Sequence, residues 1–489
     1  MASIVVVGGG LAGLVCGARL MRAGHDVEIF EAAPAVGGRL RSIETEHGLL
    51  EPAVGEIGCG DVNLRALVAS LGLEPGDEER PDRTHALVLG GRLHRPPPLR
   101  AAEFLFPMIS PRMDRPIDAV FRRPPRWGDR RPVVRAIWDS LRPSGFEAPA
   151  SVHALDDVPW QRASTRAFGT RWCTTRLAPA LLARTGVDLS AESAAIVMPM
   201  LSRLLAGAGR SVQLVGGLAS LVDALAAPLR IRLGCRVEEL ETTTEGVRIR
   251  YRAAGRSGGA LADAAVIALP SSEILRICPK LTPVERGHFE SIEPRRSIVI
   301  HRHVTQDAWL LRGLAGVTFV PGELPELRDL RILGPPFQPY ASDPFWVRIS
   351  FEHESVDAHW NDSDQALIQK LDSTFRGSPL GALPDGASRV ERLDEIISIQ
   401  GRGALARRER FHRRSERSPR LVFATSALAT PDLEGRVTVG MRSAAEVSGE
   451  LGRLERLVFG GDASPYEQGA PSDQSVSSGR GAAGFAFSG

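Results

Sequence analysis

An α/β fold built around a parallel sheet is predicted for this chain, and three observations carry the prediction. A short β-branched run, "IVVV" from Ile4, leads directly into the pattern Gly8-x-Gly10-x-x-Gly13. An amphipathic stretch and a second apolar run, "VEIF", follow and end at Glu31. A related pattern returns at "VQLVGGLASLVDALAAPLRIRLGCRVEELETTTEGVRIRY", where a Gly-Gly turn precedes a helix and further strands. Together these predict a Rossmann-like nucleotide-binding domain, discontinuous in sequence, joined to an α+β domain.

The first unit reads residue by residue. Ile4 to Val7 form a buried strand stopped by glycine. Gly8 permits the tight turn, Gly10 lets backbone approach a pyrophosphate, and Gly13 lets the next helix pack closely on the strand. The helix runs from Leu11 to Ala23, with Leu11, Leu14, Ala18 and Met21 near one face and Gly24 as its stop. Its first residues, Leu11 and Ala12, offer free N–H groups and a partial positive charge to a diphosphate. Glu31 lies 23 positions after Gly8 and precedes Ala32, where a carboxylate reaches ribose hydroxyls. A helix is expected over Leu218 to Ala227, then strands around Ile231, "CRVEEL", "GVRIRY" and "LADAAVIALP".

Bulk properties narrow the class. The 489 residues suffice for two or three domains at roughly 100–200 residues each. Hydrophobic content of 43% and charged content of 24% fit a soluble enzyme with a large core. A net charge of +2 gives no electrostatic case for a nucleic-acid partner. Lysine occurs only at Lys280 and Lys370, so lysine chemistry has two candidates. Cys16, Cys59, Cys173, Cys235 and Cys278 are scattered without CxxC spacing. That favours a reducing, cytoplasmic setting and predicts neither a disulfide framework nor a zinc site. No basic segment precedes Ile4, and no apolar run reaches about 18 residues, so neither a secretory leader nor a membrane-spanning helix is expected.

The stretch "GGRLRS", Gly37 to Ser42, follows directly on the ribose acid. With GxGxxG and Glu31 it resembles the FAD-dependent amine oxidases, protoporphyrinogen oxidases and carotenoid desaturases. The resemblance implies FAD as cofactor, with Gly38 and Arg39 by its diphosphate. It also implies a backbone stretch under the flavin ring, which brings in Val54, Gly55 and Glu56. Glu51 and Ala53 stand where the family has Asp and Gly. Glu56 is the one candidate active-site carboxylate, or else a solvated or helix-capping glutamate. Val237 matches the valine laid over the adenine, or is an ordinary core valine.

The resemblance divides the chain into an FAD-binding part, residues 1–75, 210–275 and 441–489, and a substrate-binding part, residues 76–209 and 276–440, with the pocket at their junction. In the second part "LAPALLARTGVDLSAESAA" is similar to a helical passage of protoporphyrinogen oxidases, and "SIVIHRHV" and "FWVRISFEHES" read as strands. His301 and His303 share a strand face: a metal pair without a third ligand, or surface and pocket histidines. "RPPPLRAAEFLFPMISPRM" sets apolar residues among arginines, as a membrane-surface contact or as a lid over the pocket. The strand matching the family's lysine region lacks lysine, which favours the desaturating branches over a simple amine oxidase.

Two segments open with Leu-Val-Phe, at Leu421 and at Leu457. The second carries Gly461 and Asp462, and Asp473 lies 11 positions beyond Asp462. By resemblance it is the last strand–turn–helix: Asp462 meets the ribityl chain, and Ser472, Asp473 and Gln474 start a helix whose N–H groups stabilise charge at the flavin N1–C2=O. It has no cysteine, so FAD is expected to be non-covalent. The first segment is then the approach from the substrate part, and "MRSAAEVSGELGRL" the helix before the final strand. The implied activity is hydride removal from a mainly apolar small molecule to flavin N5, with oxygen or another acceptor reoxidising the cofactor. Two alternatives stand: a flavin amine oxidase, and a non-catalytic binding protein that keeps the fold.

Overall fold

A computed structural model describes residues 1–41, 43–50, 57–78, 84–95, 126–140, 148–186, 188–207, 211–304, 314–320, 322–324, 326–333 and 345–459. Five parallel strands form the first sheet, in the order Arg230–Arg232, Asp26–Phe30, Ser3–Val7, Ala264–Ile267, Leu421–Phe423. The unbroken apolar runs at Ile4–Val7 and Ala264–Ile267 follow from this place, because central parallel strands are covered on both faces. Chain order reverses between Ser3–Val7 and Ala264–Ile267. A ligand crevice is therefore expected beyond the carboxyl ends of these two strands.

One face of the sheet carries the helices Leu11–Arg22, Gly217–Ala226 and Leu433–Phe459. Leu14, Val15 and Leu20 of the first pack with Leu221 and Leu225 of the second and with Val437 and Val447 of the last. The first and last helices cross closely because Gly440 faces Ala12: a Cβ there would sit 2.6 Å from the Ala12 carbonyl oxygen. The other face is covered by an antiparallel sheet of Cys235–Thr242, Val247–Ala253 and Arg256–Ala262.

The last elements depart from the sequence reading. Leu457–Phe459, expected as the final strand, are the closing residues of the long helix Leu433–Phe459. The edge position beside Ala264–Ile267 is held instead by Leu421–Phe423, in the register Ala265 to Leu421 and Ile267 to Phe423. The Ala424 N–H then donates to the Ile267 carbonyl at 2.8 Å. Residues 421–440, read as an approach from the substrate part, thus belong with the parallel sheet. One strand position is available there, and the Glu-, Leu- and Arg-rich run from Glu450 to Leu457 favours helix up to the second Leu-Val-Phe.

A seven-stranded mixed sheet forms the other large unit, in the order Ser388–Ile399, Glu293–Val304, Phe345–Phe351, Leu327–Leu333, Leu314–Phe319, Thr84–Leu89, Arg92–His94. Its strands alternate between two chemically different faces. Ile298, Ile300, Leu330, Val347 and Ile349 join Leu367, Leu371 and Phe375 of the helix Asp364–Arg376 in one apolar cluster. The opposite face carries His301, Arg331 and Arg348, which are neighbours across three strands. A helical layer around Trp160, Phe168, Trp172, Met198 and Leu201 completes the unit. Among the described residues no helix is long and apolar enough to cross a membrane.

Candidate cofactor and substrate site

The glycine turn sits at the expected crevice. Gly8 has φ +105° and donates from its N–H to the Phe30 carbonyl at 2.9 Å. A Cβ on Gly13 would lie 2.0 Å from the Gly8 carbonyl oxygen, so only glycine lets the helix start this close to the strand. Gly10 is different: nothing lies within 4 Å of where its Cβ would be. The N-terminus of Leu11–Arg22 therefore opens onto free space, with Leu11 and Ala12 in its first turn. No acidic side chain stands in that turn to compete with an anion.

Glu31 closes the second strand. Its carboxylate accepts from the Gly9 N–H at 2.6 Å and from the Ala33 N–H at 2.7 Å, with exposed Ala32 between. Two acceptor positions are thus used for orientation, and a carboxylate has about four. The next loop folds back on the first: Gly37 donates to the Gly9 carbonyl at 2.8 Å, and Gly38 begins a short 3-10 turn to Leu40. Arg39 follows and donates to the Ile396 carbonyl. Burial lowers its guanidinium pKa, and Glu395 opposes the fall. Val237, on the antiparallel sheet, is buried in one cluster with Val7 and Phe30 of the parallel sheet.

A cavity of about 150 Å³ lies where this loop meets the seven-stranded sheet. Gly38 to Arg41 form one wall, and Pro431 to Leu433 with Arg436 a second. Ile43, Thr185, Gly186, Arg348, Glu391, Leu393, Ile396 and Ile397 supply the rest. Arg436 leaves its Nε buried without a hydrogen-bond partner among the described residues. Burial and then neighbouring Arg39 push its guanidinium down to about 9, against the pull of Asp432. Asp432 is itself committed: it takes Arg203 at 2.5 Å, the Thr430 hydroxyl at 2.8 Å and the Gly435 N–H at 2.9 Å.

His301 is fully buried, and neither ring nitrogen has a hydrogen-bond partner among the described residues. Burial, then Arg348 and Arg389, push its pKa down to about 3, so it stays neutral. His303 stacks on His47 with ring centroids 4.4 Å apart, outside this cavity. Among the described residues no group of three or more His, Cys, Asp or Glu is arranged to hold a metal ion. Neither lysine lines the cavity: Lys280 pairs with Glu241 and Lys370 with Glu326. Val54, Gly55, Glu56, Gly461, Asp462, Ser472, Asp473 and Gln474 lie outside the described residues, as does the arginine-flanked apolar stretch after Arg95.

Residues 11–483 match the family model for flavin-containing amine oxidoreductases. The chain belongs to this family. It is an FAD-dependent oxidoreductase, acting on a small molecule and passing electrons to an acceptor. Solved structures share the fold at low identity. A protein from Exiguobacterium sp. 255-15, provisionally named a protoporphyrinogen oxidase, is 17% identical with a TM-score of 0.68, over 92% of this chain and 98% of that one. Cyclohexylamine oxidase from Brevibacterium oxydans IH-35A is 18% identical with a TM-score of 0.66, over 92% and 100%. An engineered putrescine oxidase is 16% identical with a TM-score of 0.65, over 92% and 99%.

The site fits FAD on its own geometry. The space at Gly10, the unopposed helix N-terminus and the oriented Glu31 suit a phosphorylated, hydroxyl-bearing group. Arg348, Glu391 and Arg436 line the site without any motif to announce them. The available signal was a charged residue in the middle of an apolar strand, as in "FWVRISF".

Proposed function

We propose that this oxidoreductase removes a hydride from a mainly apolar organic molecule, in the manner of the desaturating and protoporphyrinogen-oxidising branches of its family. FAD supplies the electron-accepting centre at N5, and the protein supplies binding, orientation and exclusion of water. The observation that carries the reading is the cavity, where Leu40, Ile43, Leu393, Ile396, Ile397 and Leu433 form an apolar surface beside Arg39, Arg41, Arg348, Glu391, Asp432 and Arg436, with no lysine. In this proposal the diphosphate lies on Gly8, Gly10, Leu11, Ala12 and Gly13 with Gly38 and Arg39. Glu31 holds the ribose, Val237 the adenine, and Asp462 with Ser472 to Gln474 the ribityl chain and flavin. The parallel-sheet part binds FAD and the seven-stranded part binds substrate. Oxygen or another acceptor closes the cycle, and the five unpaired cysteines favour a cytoplasmic setting.

Glu391 on the cavity wall favours a second reading, an amine oxidase in which a carboxylate faces a substrate ammonium. Anaerobic mixing of the holoenzyme with a porphyrinogen, a polyene and a panel of amines separates the two. The first reading expects flavin absorbance to bleach with the porphyrinogen or polyene. Bleaching by amines alone selects the second. A colourless protein that takes up no FAD overturns both and leaves a binding protein.

A further inference from the structure

The seven-stranded sheet carries a cluster of arginines around Asp329, and one of them, Arg348, lines the cavity with no hydrogen bond or ion pair among the described residues, held only by the longer-range pull of Asp329 and Glu391. Asp329 is fully buried and serves two arginines: Oδ1 accepts from Arg328 Nε at 3.3 Å and Oδ2 from Arg331 Nε at 2.8 Å. Arg328 also reaches the Gly186 carbonyl at 3.2 Å. Burial alone would raise the Asp329 pKa, but Arg328, Arg331 and Arg348 outweigh it and bring it down to about 2. This carboxylate is therefore ionised and already engaged.

Arg348 is the third cation of the group. It is only 4% exposed, stands beside Arg331 and His301 across the strands, and lines the cavity. It makes no hydrogen bond or ion pair among the described residues, and its Nη1 is buried without a partner. His301, its cross-strand neighbour, is neutral. Glu391 lies on the same cavity wall without closing a salt bridge to it. Burial pushes the Arg348 guanidinium down to about 10, which still leaves it charged at neutral pH. A charged guanidinium held dry and unpaired is unfavourable unless an anion joins it. The planar fork matches a carboxylate in two parallel hydrogen bonds.

We infer that Arg348 is a specificity residue that binds a carboxylate on the substrate, so the substrate is amphipathic, with an apolar body and an anionic end. The inference rests on the proposed substrate cavity. The cofactor's own anionic groups are the competing source of a partner. Against them stands position: Arg348 is on the seven-stranded sheet, and of the residues proposed for the diphosphate only Gly38 and Arg39 line the same cavity, with none of the glycine turn Gly8 to Gly13.

The test is binding to oxidised holoenzyme, read by perturbation of the flavin spectrum, with benzoate and cyclohexanecarboxylate as probes against benzamide and cyclohexanecarboxamide. Each carboxylate is expected to bind at least tenfold more tightly than its amide. Arg348→Met should erase that preference with FAD content unchanged, and Arg348→Lys should restore part of it. Equal binding of acid and amide by the unaltered enzyme overturns the inference without any variant. Loss of FAD from Arg348→Met assigns the arginine to the cofactor and overturns it as well. No turnover is needed, so a failure here is distinct from failure of the oxidoreductase reading, which would appear as absence of bleaching with every reductant in the substrate panel.

Discussion

A single methyl group separates the roles of two glycines in the N-terminal turn. At Gly13 the methyl has nowhere to go, since backbone oxygen lies 2.0 Å from its position. Gly13→Ala is expected to destabilise the fold by about 3 kcal/mol, the upper part of the range for overpacking. At Gly10 the methyl meets no atom of the described residues within 4 Å beyond its chain neighbours, and φ is −76°, which alanine adopts without strain. Gly10→Ala is expected to change stability by less than about 0.5 kcal/mol. It should still weaken FAD binding at least about tenfold, because the methyl takes the space of the pyrophosphate. Thermal melting of the FAD-free protein and flavin titration measure the two effects separately. Equal FAD affinity in Gly10→Ala and the unaltered protein would place the diphosphate elsewhere. This contrast was legible in the sequence, because residue type and spacing encode it locally. Arg348 was not, because one arginine in an apolar strand does not say which face it occupies or what stands opposite.

At the scale of elements, the long helix Leu433–Phe459 ties three parts of the chain together. Glu434, in its first turn, is buried and caps a different helix, Val62–Ser70. Its carboxylate accepts from the Asn63 N–H at 3.0 Å, the Leu64 N–H at 2.7 Å and Asn63 Nδ2 at 2.9 Å. The two backbone donors have no partner inside their own helix, so removing the carboxylate orphans them, while Asn63 Nδ2 keeps its bond to Thr438 Oγ1 at 3.1 Å. Glu434→Ala is expected to cost about 2 kcal/mol, seen as a lower Tm, while the folded fraction keeps its FAD. Asp462→Ala is expected to do the reverse, losing FAD at little cost in Tm. If Glu434→Ala instead releases FAD at unchanged Tm, the ribityl contact belongs to the segment that begins at Leu421. The two Leu-Val-Phe segments were assigned by local resemblance, and Leu457–Phe459 was misread as a strand for that reason. Strand identity depends on an open edge, and the one beside Ala264–Ile267 is filled by Leu421–Phe423.

For the whole molecule, buried histidines predict acid sensitivity. Burial is the leading cause in each case and arginines add to it. His288, near Arg407, Arg408 and Arg414, falls to about 4; His301, near Arg348 and Arg389, to about 3; and His412, near Arg442, Arg408 and Arg414, to about 3. A folded-state pKa below the unfolded 6.5 means the unfolded chain binds more protons below pH 6.5, so acid favours unfolding there. Glu192 has the opposite sign: burial raises it to about 7 from 4.5, which adds stability as pH falls from about 7 to 4.5. The three histidines outweigh Glu192, while His303, also lowered, and Glu352, also raised, act in opposite directions, so stability is expected to fall by roughly a few kcal/mol from pH 6.5 toward 4.5. Melting temperature measured from pH 7 to 5 checks this. A flat or rising profile toward acid would mean that these histidines reach water in the native state.

By itself the sequence determined the parallel-sheet core, the glycine turn, the acid that follows the second strand at Glu31 and membership of a flavin family. Each of these is written in residues close together in the chain, where backbone geometry and side-chain type suffice. The tertiary structure alone decided which Leu-Val-Phe segment completes the sheet, what Glu434 holds, and that Arg348 and Glu391 face the cavity. Those outcomes depend on pairing partners tens to hundreds of residues away. A strand's edge, a helix's unpaired N–H groups and a sheet's polar face exist only once distant segments have been brought together.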